Sequence, residues 1–305
     1  MQRGWERTLE NGMEIGWIGT GVMGASMAGH LLGAGHRLRV FTRTPSKAAG
    51  LLERGALWAD SPAAAAEGAD LAISIVGMPE DVEEVHLGTR GTLAATSAPK
   101  VVVDMTTSSP ALAVRIAEAA ADRGVGAVDA PVSGGDVGAR EARLSIMVGG
   151  ADAAVAAARP AFECMGRTVV HQGPPGSGQH TKMVNQIAIA STMVGMCEGL
   201  RYAEDAGLDP KQVLESISGG AAGSWTLTNL APRVLRSDLE PGFRIDHFLK
   251  DLRIALSEAE RMNLDLPGVR LARELYEHAV AAGLAEKGTH ALVDVVATRN
   301  GRPRA

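Results

Sequence analysis

A lysine at the start of a long helical pattern is the residue of this sequence best suited to proton transfer. The stretch from Gly176 to Lys182 reads GSGQHTK, so a glycine-rich turn is followed by a helix that carries Lys182 in its opening turns. The positive end of the helix dipole and partial burial both disfavour the ammonium ion, and we expect them to lower the pKa of Lys182 towards neutrality. Such a lysine can donate a proton, whereas a solvated lysine at this position would have no chemical role.

A glycine motif near the N-terminus indicates a dinucleotide site. Residues 15–18 predict a short buried strand, and a helical pattern runs to Leu32 after the intervening residues Gly19, Thr20, Gly21, Val22, Met23 and Gly24. Strand, GxGxxG and helix in this order are typical of a dinucleotide-binding turn, with a chance glycine-rich turn as the alternative. Gly19 permits the tight turn, Gly21 lets a pyrophosphate approach the backbone, and Gly24 allows close packing of helix on strand.

The residues after the next predicted strand, 38–41, bear on the choice of cofactor. An NAD-specific fold places an acidic residue there, about twenty residues after the motif, to bind the ribose 2′-hydroxyl. This sequence instead reads Thr42-Arg43-Thr44-Pro45-Ser46-Lys47, with two cations and no carboxylate. Arg43 can stack on adenine and contact a 2′-phosphate, and Thr44 can donate a hydrogen bond to it. The sequence therefore predicts NADP rather than NAD, with a solvated loop charge as the alternative for Arg43.

Two further strand ends carry residues that can meet a dinucleotide. The apolar run 71–76 ends at Gly77-Met78-Pro79, and the run 101–104 is followed by Met105-Thr106-Thr107-Ser108-Ser109-Pro110. Ligands of open α/β sheets bind at the carboxyl ends of the strands. We expect Thr107 to face the nicotinamide and Ser109 to cap the helix that begins at Pro110.

The segment after the predicted strand 127–129 is a candidate substrate site. It contains Ser133, Gly134 and Gly135 in succession. A serine hydroxyl and two glycines can turn successive backbone N–H groups inward and form a nest for a carboxylate. An ordinary Gly-Gly turn is the alternative. The pattern predicts a small carboxylate as the substrate.

Length and hydrophobic patterning predict an α/β protein of two domains. We expect a flexible extension at residues 1–12 and an N-terminal Rossmann-type doubly wound parallel sheet at residues 13–175, which binds NADP. A long interdomain helix at 179–206 would join it to an all-α domain at residues 176–305 that binds substrate and mediates dimerisation. Further helical patterns occupy 210–218, 246–262, 267–282 and 291–299. Lys182 would lie where a cleft forms between the domains, and the apolar helix faces indicate a homodimer or homotetramer.

Composition argues against several classes of protein. Hydrophobic residues at 46% and charged residues at 21% describe a folded chain. A net charge of −5 gives no basic surface for nucleic acid or an anionic membrane. Two cysteines, no signal-peptide pattern and no run of about 18 apolar residues predict a cytoplasmic protein. The eight histidines show no HxxH or HExxH spacing, so we expect no metal site.

With these motifs placed, the sequence resembles the β-hydroxyacid dehydrogenase family, the group that contains 3-hydroxyisobutyrate dehydrogenase and tartronate semialdehyde reductase. The resemblance runs from about Met13 to Arg299. The family's GxGxMGxxMA pattern reads Gly19 to Ala28 here, and its DAPVSGG pattern is intact from Asp129 to Gly135. Many relatives carry Asp-x-Ser-Ala in the last helix, where this chain has residues 287–291, KGTHA. The resemblance therefore does not carry over the substrate of any one member.

The resemblance implies roles for individual residues. It makes Lys182 the catalytic acid and base, and it places Asn185 or Gln186 beside the lysine against the substrate. It also places Met78, Pro79 and Thr107 along the cofactor and gives Lys250 a role near the nicotinamide. The implied reaction is reversible hydride transfer between NADP(H) and a short β-hydroxyacid or its semialdehyde.

Three alternatives to this activity are open. Some relatives keep the fold as a non-catalytic NADPH-binding scaffold, but those have lost the lysine that this sequence retains. Oxidative decarboxylases of the 6-phosphogluconate type also use a glutamate at the position of Ile189. Imine reductases typically replace the lysine with Asp or Tyr, so Lys182 argues against that chemistry.

Overall fold

The computed structural model describes residues 12–301 of the 305-residue chain. The extension expected at residues 1–12 lies outside the described residues except for Gly12. The chain divides into two compact units, with the boundary between Lys182 and Met183. The domain boundary expected from the sequence precedes residue 176.

Strands are confined to the first unit, as far as residues 12–301 show. The strands are β1 Glu14–Ile18, β2 Arg37–Phe41, β3 Leu57–Trp58, β4 Leu71–Ser74, β5 Val101–Asp104, β6 Gly126–Asp129, β7 Val132–Ser133, β8 Leu144–Gly150 and β9 Gly166–Gly173. The helices among them are α1 Val22–Gly33, α2 Ala49–Leu52, α3 Pro62–Ala66, α4 Pro79–Leu87, α5 Pro110–Ala121, α6 Gly135–Arg140 and α7 Asp152–Glu163. The long helix α8, Ser177–Asp205, begins in this unit.

The sheet has the strand order β3-β2-β1-β4-β5-β6-β8-β7, and β9 pairs with β8. All pairings from β3 to β6 are parallel. This order is that of a doubly wound dinucleotide-binding fold, whose order reverses between β1 and β4. The fold expected from the sequence is therefore confirmed.

One part of the sheet differs from a purely parallel arrangement. Strand β8 runs antiparallel to both β6 and β7. The chain between β7 and β8 holds only the six-residue helix α6. Parallel strands need a crossover of a dozen residues or more, so this short connection reverses the chain direction.

The central strands of the sheet in the first unit are buried on both faces. Every residue of β4 and β5 is buried, as expected for parallel strands between two helical layers. Trp17 on β1 is fully buried at the centre, where Met27 of α1 and Phe162 of α7 pack in the same cluster.

The second unit is built from helices, with one isolated antiparallel bridge between Arg244 and Gly288 among its described residues. It contains the rest of α8, then α9 Pro210–Ile217, α10 Trp225–Asn229, α11 Ala231–Leu235, α12 Ile245–Arg261, α13 Pro267–Ala281 and α14 Leu292–Arg299. Its core contains Phe248 of α12. The ring of Phe248 packs edge-on against that of Tyr276, with the two ring centroids 5.0 Å apart. Helices α10 and α11 were not predicted, because segments of five residues are too short to show a helical period.

No helix within residues 12–301 is long and apolar enough to cross a membrane.

Candidate functional site

The glycine turn between β1 and α1 is closed by the protein on one side and open on the other. Gly19 has φ +101°, and a Cβ there would lie 2.1 Å from the carbonyl oxygen of Ile75. A Cβ on Gly24 would lie 2.3 Å from the carbonyl oxygen of Gly19. A Cβ on Gly21 would meet nothing within 4 Å. Packing thus requires glycine at the first and last positions, whereas the middle position borders space that a ligand can enter.

The start of α1 has the properties of an anion site. No side chain caps its first turn, which also contains no acidic residue. The hydroxyl of Thr20 is buried without a hydrogen-bond partner among the described residues. Val22 is exposed and Met23 is half-buried at the same turn. Uncapped N–H groups at a helix start favour a phosphate, so this turn fits the pyrophosphate of a dinucleotide.

The end of β2 lies beside the glycine turn, because the N–H of Gly19 donates to the carbonyl oxygen of Phe41 at 2.9 Å. Thr42 is half-buried, and Arg43, Thr44 and Lys47 are exposed in the residues that follow. The residues expected to recognise a 2′-phosphate therefore follow directly from the strand end that contacts the motif.

Arg43 has a carboxylate partner that the sequence pattern did not reveal. Its two terminal nitrogens donate to the carboxylate of Asp81 in α4, at 2.7 and 3.3 Å. The same carboxylate accepts a hydrogen bond from the backbone N–H of Met78 at 3.2 Å. Pro79 is the first residue of α4, so Asp81 occupies the third helical position, where an acidic side chain often binds back to the residue before the helix. This position in the helix is the sequence feature from which the role of Asp81 could have been predicted.

A chain of buried polar side chains lies at the ends of β4 and β5. The hydroxyl of Ser74 donates to Oδ1 of Asp104 at 2.9 Å and lies 2.8 Å from Nε2 of His86. Since that hydroxyl has one proton, Nε2 of His86 is the donor and Nδ1 accepts from the hydroxyl of Thr92 at 2.8 Å. Burial lowers the pKa of His86 to about 4. Burial also raises the pKa of Asp104 to about 6, against hydrogen bonds from Thr106 and Ser74 that lower it.

The loop after β5 is tied to the loop after β4. The hydroxyl of Thr106 accepts from the backbone N–H of Val76 at 2.9 Å. Thr107, expected at the nicotinamide, is half-buried in the same loop. Ser109 accepts from the N–H of Leu112 at 3.1 Å before Pro110 begins α5, as expected for a helix cap.

Lys182 is held in a buried position by the segment that contains the predicted carboxylate nest. The residue is 6% exposed, and its Nζ donates to the carbonyl oxygen of Val132 at 2.9 Å. The carboxylate of Asp129 accepts from the N–H groups of Gly176 and Gln179, both at 2.8 Å, at the start of α8. Burial raises the pKa of Asp129, while these N–H groups lower it. One segment thus binds both the lysine and the start of the helix that carries it.

The two glycines after Ser133 both lie in a part of backbone space that favours glycine. Ser133 pairs with Ser145 at the end of β7. Gly134 has φ +135° and Gly135 has φ +62°, values that favour glycine. Ser133 is the next residue after the carbonyl that binds Lys182.

Three predicted residues belong to the second unit and form a chain there. Asn185 donates from its side-chain amide to Oε1 of Gln186 at 2.7 Å, and Nε2 of Gln186 donates to Asp251 at 2.6 Å. Nζ of Lys250 lies 3.1 Å from the other oxygen of Asp251. Gln186 is buried and both ends of its amide bind protein groups, whereas Asn185 is half-buried. Asp251, which the sequence analysis did not single out, joins the predicted residues.

No group of three or more His, Cys, Asp or Glu residues suited to a metal ion occurs in the described part of the chain.

Comparisons with known proteins cover nearly the whole chain. The family model for the NAD-binding domain of 6-phosphogluconate dehydrogenase matches residues 14–173. The model for the NAD-binding region of NADP-dependent 3-hydroxyisobutyrate dehydrogenase matches residues 176–296.

Individual relatives match over similar lengths. A probable mitochondrial 3-hydroxyisobutyrate dehydrogenase-like protein 1 of Arabidopsis thaliana is 50% identical and covers 92% of this chain and 84% of its own. The 2-hydroxy-3-oxopropionate reductase of Escherichia coli K12 is 38% identical, and the match covers 93% of this chain and 97% of that protein. A solved 3-hydroxyisobutyrate dehydrogenase of Mycobacterium tuberculosis with L-serine is 30% identical, with a TM-score of 0.85 and coverage of 94% and 99%.

Proposed function

Since this chain belongs to the β-hydroxyacid dehydrogenase family, we propose that it catalyses reversible hydride transfer between NADP(H) and a short β-hydroxyacid or its semialdehyde. The observation that carries the proposal is the hydrogen bond from the buried Nζ of Lys182 to the carbonyl oxygen of Val132. It holds the amine beside the Ser133-Gly134-Gly135 segment, which we assign to the substrate carboxylate.

The cofactor site is built from the glycine turn and the strand ends of the first unit. The residues that would hold it are Gly19, Thr20, Gly21, Val22, Met23 and Gly24 at the pyrophosphate, Thr42, Arg43, Thr44 and Lys47 at the 2′-phosphate, and Met78, Pro79 and Thr107 towards the nicotinamide. When bound, the cofactor supplies or accepts the hydride. NADP is favoured over NAD because Arg43 can bind a phosphate through two hydrogen bonds and no acidic residue directly follows β2.

Lys182 is the proton donor when a carbonyl is reduced and the acceptor when the alcohol is oxidised. Its ammonium donates to the carbonyl oxygen of Val132, which orients the amine beside the segment that we assign to the substrate. A positioned general acid of this kind contributes roughly 10² to 10⁴ in rate.

The substrate carboxylate is assigned to the Ser133 hydroxyl and to the backbone N–H groups at Gly134 and Gly135, because this segment directly follows the carbonyl of Val132 that binds Lys182. Asn185 is assigned to the substrate, and Gln186 to the orientation of Asn185, because Gln186 uses both ends of its amide within the protein. Lys250 keeps the role near the nicotinamide that the family resemblance implies.

We also propose a homodimer or homotetramer. Val184 and Tyr202 are 66% and 75% exposed on α8, and their separation of five helical turns puts them on the same face. Exposed apolar side chains at the two ends of this face make it the candidate for a subunit interface. Sedimentation velocity of the wild-type protein and of the Tyr202→Glu variant tests this, because a charge in such an interface should produce a smaller species. An unchanged sedimentation coefficient in that variant would exclude this face.

A substrate screen tests the activity. Wild-type protein would be assayed with 3-hydroxyisobutyrate and with the semialdehydes of tartronate and succinate, each with the NADP and the NAD form of the cofactor. We expect turnover of at least one carboxylate substrate, faster with NADP(H). Tight NADPH binding without turnover of any substrate would instead favour the non-catalytic scaffold.

A further inference from the structure

Gln179, in the first turn of α8, is buried and uses both ends of its side-chain amide. The whole residue is 0% exposed. Nε2 donates to the carbonyl oxygen of Thr106 at 2.7 Å, and Oε1 accepts from the backbone N–H of Ser108 at 2.9 Å. The two bonds therefore hold the backbone on either side of Thr107.

These bonds require one donor and one acceptor at fixed positions. An amide supplies both, whereas a hydrocarbon side chain supplies neither and an ionised carboxylate is only an acceptor. Burial without these bonds would leave the carbonyl of Thr106 and the N–H of Ser108 unsatisfied, which is unfavourable for both groups.

The bonds of Gln179 continue into the loop after β4. Thr106, whose carbonyl binds Gln179, accepts from the N–H of Val76 through its hydroxyl. The backbone N–H of Gln179 is itself bound by the carboxylate of Asp129. A continuous set of hydrogen bonds thus runs from the start of α8 through the Thr107 loop to the residues before Met78.

We propose that Gln179 is a positioning residue that fixes the loop of residues 106–108, the Thr107 loop, relative to Lys182. It would thereby keep the distance between the cofactor and the proton donor constant. The proposal rests on the proposed function, since it concerns the geometry of that reaction. Gln179 and Lys182 are three residues apart on one helix, and any movement of that helix start moves both. A misplacement of about 1 Å can cost roughly 100-fold in rate, so the effect on turnover should be large.

Substitutions at Gln179 test the proposal through the pH dependence of their effect. Gln179→Leu removes both hydrogen bonds at every pH, and we expect a roughly 10- to 100-fold lower kcat and weaker NADPH binding at all pH values. In Gln179→Glu, the protonated carboxyl has one O–H donor and one acceptor and can replace the amide. We therefore expect the loss at pH 8.5 to recover at pH 6, when kcat and the NADPH dissociation constant are expressed relative to wild type.

The surroundings of Gln179 favour that recovery. Asp129 binds its backbone N–H, Asp104 accepts from the N–H of Thr106, and the nearest cation on the helix is Lys182. Burial and two neighbouring carboxyl groups raise the pKa of an introduced carboxyl, which brings its protonation towards the assay range. NADPH fluorescence gives the dissociation constant without any turnover.

Thr181→Ala is the matched control. The hydroxyl of Thr181 donates to the carbonyl of Ser177 at 2.9 Å within the same helix, so its loss should leave kcat and NADPH affinity near wild type at every pH. Equal losses in Gln179→Leu and Gln179→Glu at both pH values, with no recovery at pH 6, would overturn the positioning role. So would wild-type behaviour of both variants in a folded protein. If the wild-type protein showed no turnover while the NADPH affinities of the Gln179 variants followed the expected pattern, the proposed function would be overturned. The assignment of Gln179 as a positioning residue would still hold.

Discussion

The amine of Lys182 donates a hydrogen bond to the carbonyl oxygen of Val132, 50 residues earlier in the chain. Val132 lies between Asp129, which binds the start of α8, and Ser133, where we place the substrate carboxylate. The DAPVSGG segment therefore makes two contacts with α8: it binds the lysine through a backbone carbonyl and the start of the helix through a carboxylate.

Replacement of Lys182 by methionine should strongly lower turnover and leave the cofactor bound. Methionine keeps the length of the side chain but has no proton to donate, so kcat should fall by roughly 10² to 10⁴. The NADPH dissociation constant, measured by fluorescence, should stay within about twofold of wild type, since none of the residues assigned to the pyrophosphate changes. Turnover at the wild-type rate in this variant would exclude Lys182 as the acid.

Gly178 is expected to be irreplaceable for the position of α8. A Cβ at this residue would lie 2.4 Å from the carbonyl oxygen of Met147 and 2.6 Å from that of Asp129. Because both atoms are backbone, Gly178→Ala must displace the helix start, which should cost roughly 1–3 kcal/mol of stability. Lys182 should move with the helix, so kcat should fall as well. Thermal unfolding and steady-state kinetics measure the two effects.

Gly50, in α2, provides the control for that substitution. A Cβ at Gly50 would meet nothing within 4 Å. Gly50→Ala should therefore keep stability within about 1 kcal/mol of wild type and leave kcat unchanged. Equal effects of the two substitutions would show that close packing at Gly178 does not position the lysine.

The elements of the fold were predictable because their signals are local. The buried strands, the glycine turn and the Ser109 cap each depend on neighbouring residues, and the strand order confirms the expected sheet. The antiparallel direction of β8 was not predicted, because it depends on which strands β8 pairs with after the short α6 connection. The assignments of individual residues to cofactor and substrate stay predictions.

The missing parts of the site are contacts between distant segments. Asp81 reaches Arg43 across 38 residues, and Gln179 reaches Thr106 across 73. Neither distance in sequence leaves a periodic pattern, and both residues looked like ordinary residues of a helix start. A sequence motif identifies which backbone binds a ligand more readily than it identifies the side chains that hold that backbone in place.

The ion pair of Arg43 and Asp81 should moderate the preference for NADP that we propose. The carboxylate already binds the guanidinium that we assign to the 2′-phosphate, and its negative charge repels that phosphate. Asp81→Asn removes the charge but keeps an acceptor for the N–H of Met78. We expect it to tighten NADP⁺ binding severalfold and leave NAD⁺ binding unchanged, as exposed charge interactions are worth up to about 1 kcal/mol.

Arg43→Ala gives the opposite result if Arg43 binds the phosphate. It should weaken NADP⁺ binding by roughly tenfold or more and leave NAD⁺ binding nearly unchanged, because charge-assisted hydrogen bonds are worth about 1.5–3 kcal/mol. Fluorescence titration of each variant with both cofactors supplies the ratio. If Asp81→Asn weakened NADP⁺ binding, the carboxylate would instead be an orienting group for Arg43.

The buried pair of His86 and Asp104 should make opposite contributions to the pH dependence of stability. His86 has a folded pKa near 4, below the value of about 6.5 in an unfolded chain. Its contribution to stability is therefore present above pH 6.5 and lost as the pH falls towards 4. Asp104 has a folded pKa near 6, above the unfolded value of about 3.9. Its contribution is present below pH 3.9 and lost as the pH rises through 6.

Single substitutions should separate these two contributions. In Asp104→Asn, the free energy of unfolding relative to wild type should rise by about 3 kcal/mol between pH 4 and pH 7, because the variant no longer ionises a buried carboxyl. The glutamine in His86→Gln can still bind Ser74 and Thr92. The free energy of unfolding of this variant relative to wild type should rise by a similar amount as the pH falls from 7 to 4. Denaturant titrations at several pH values measure both slopes. Parallel pH profiles for wild type and both variants would mean that neither group titrates in the folded protein as its burial requires.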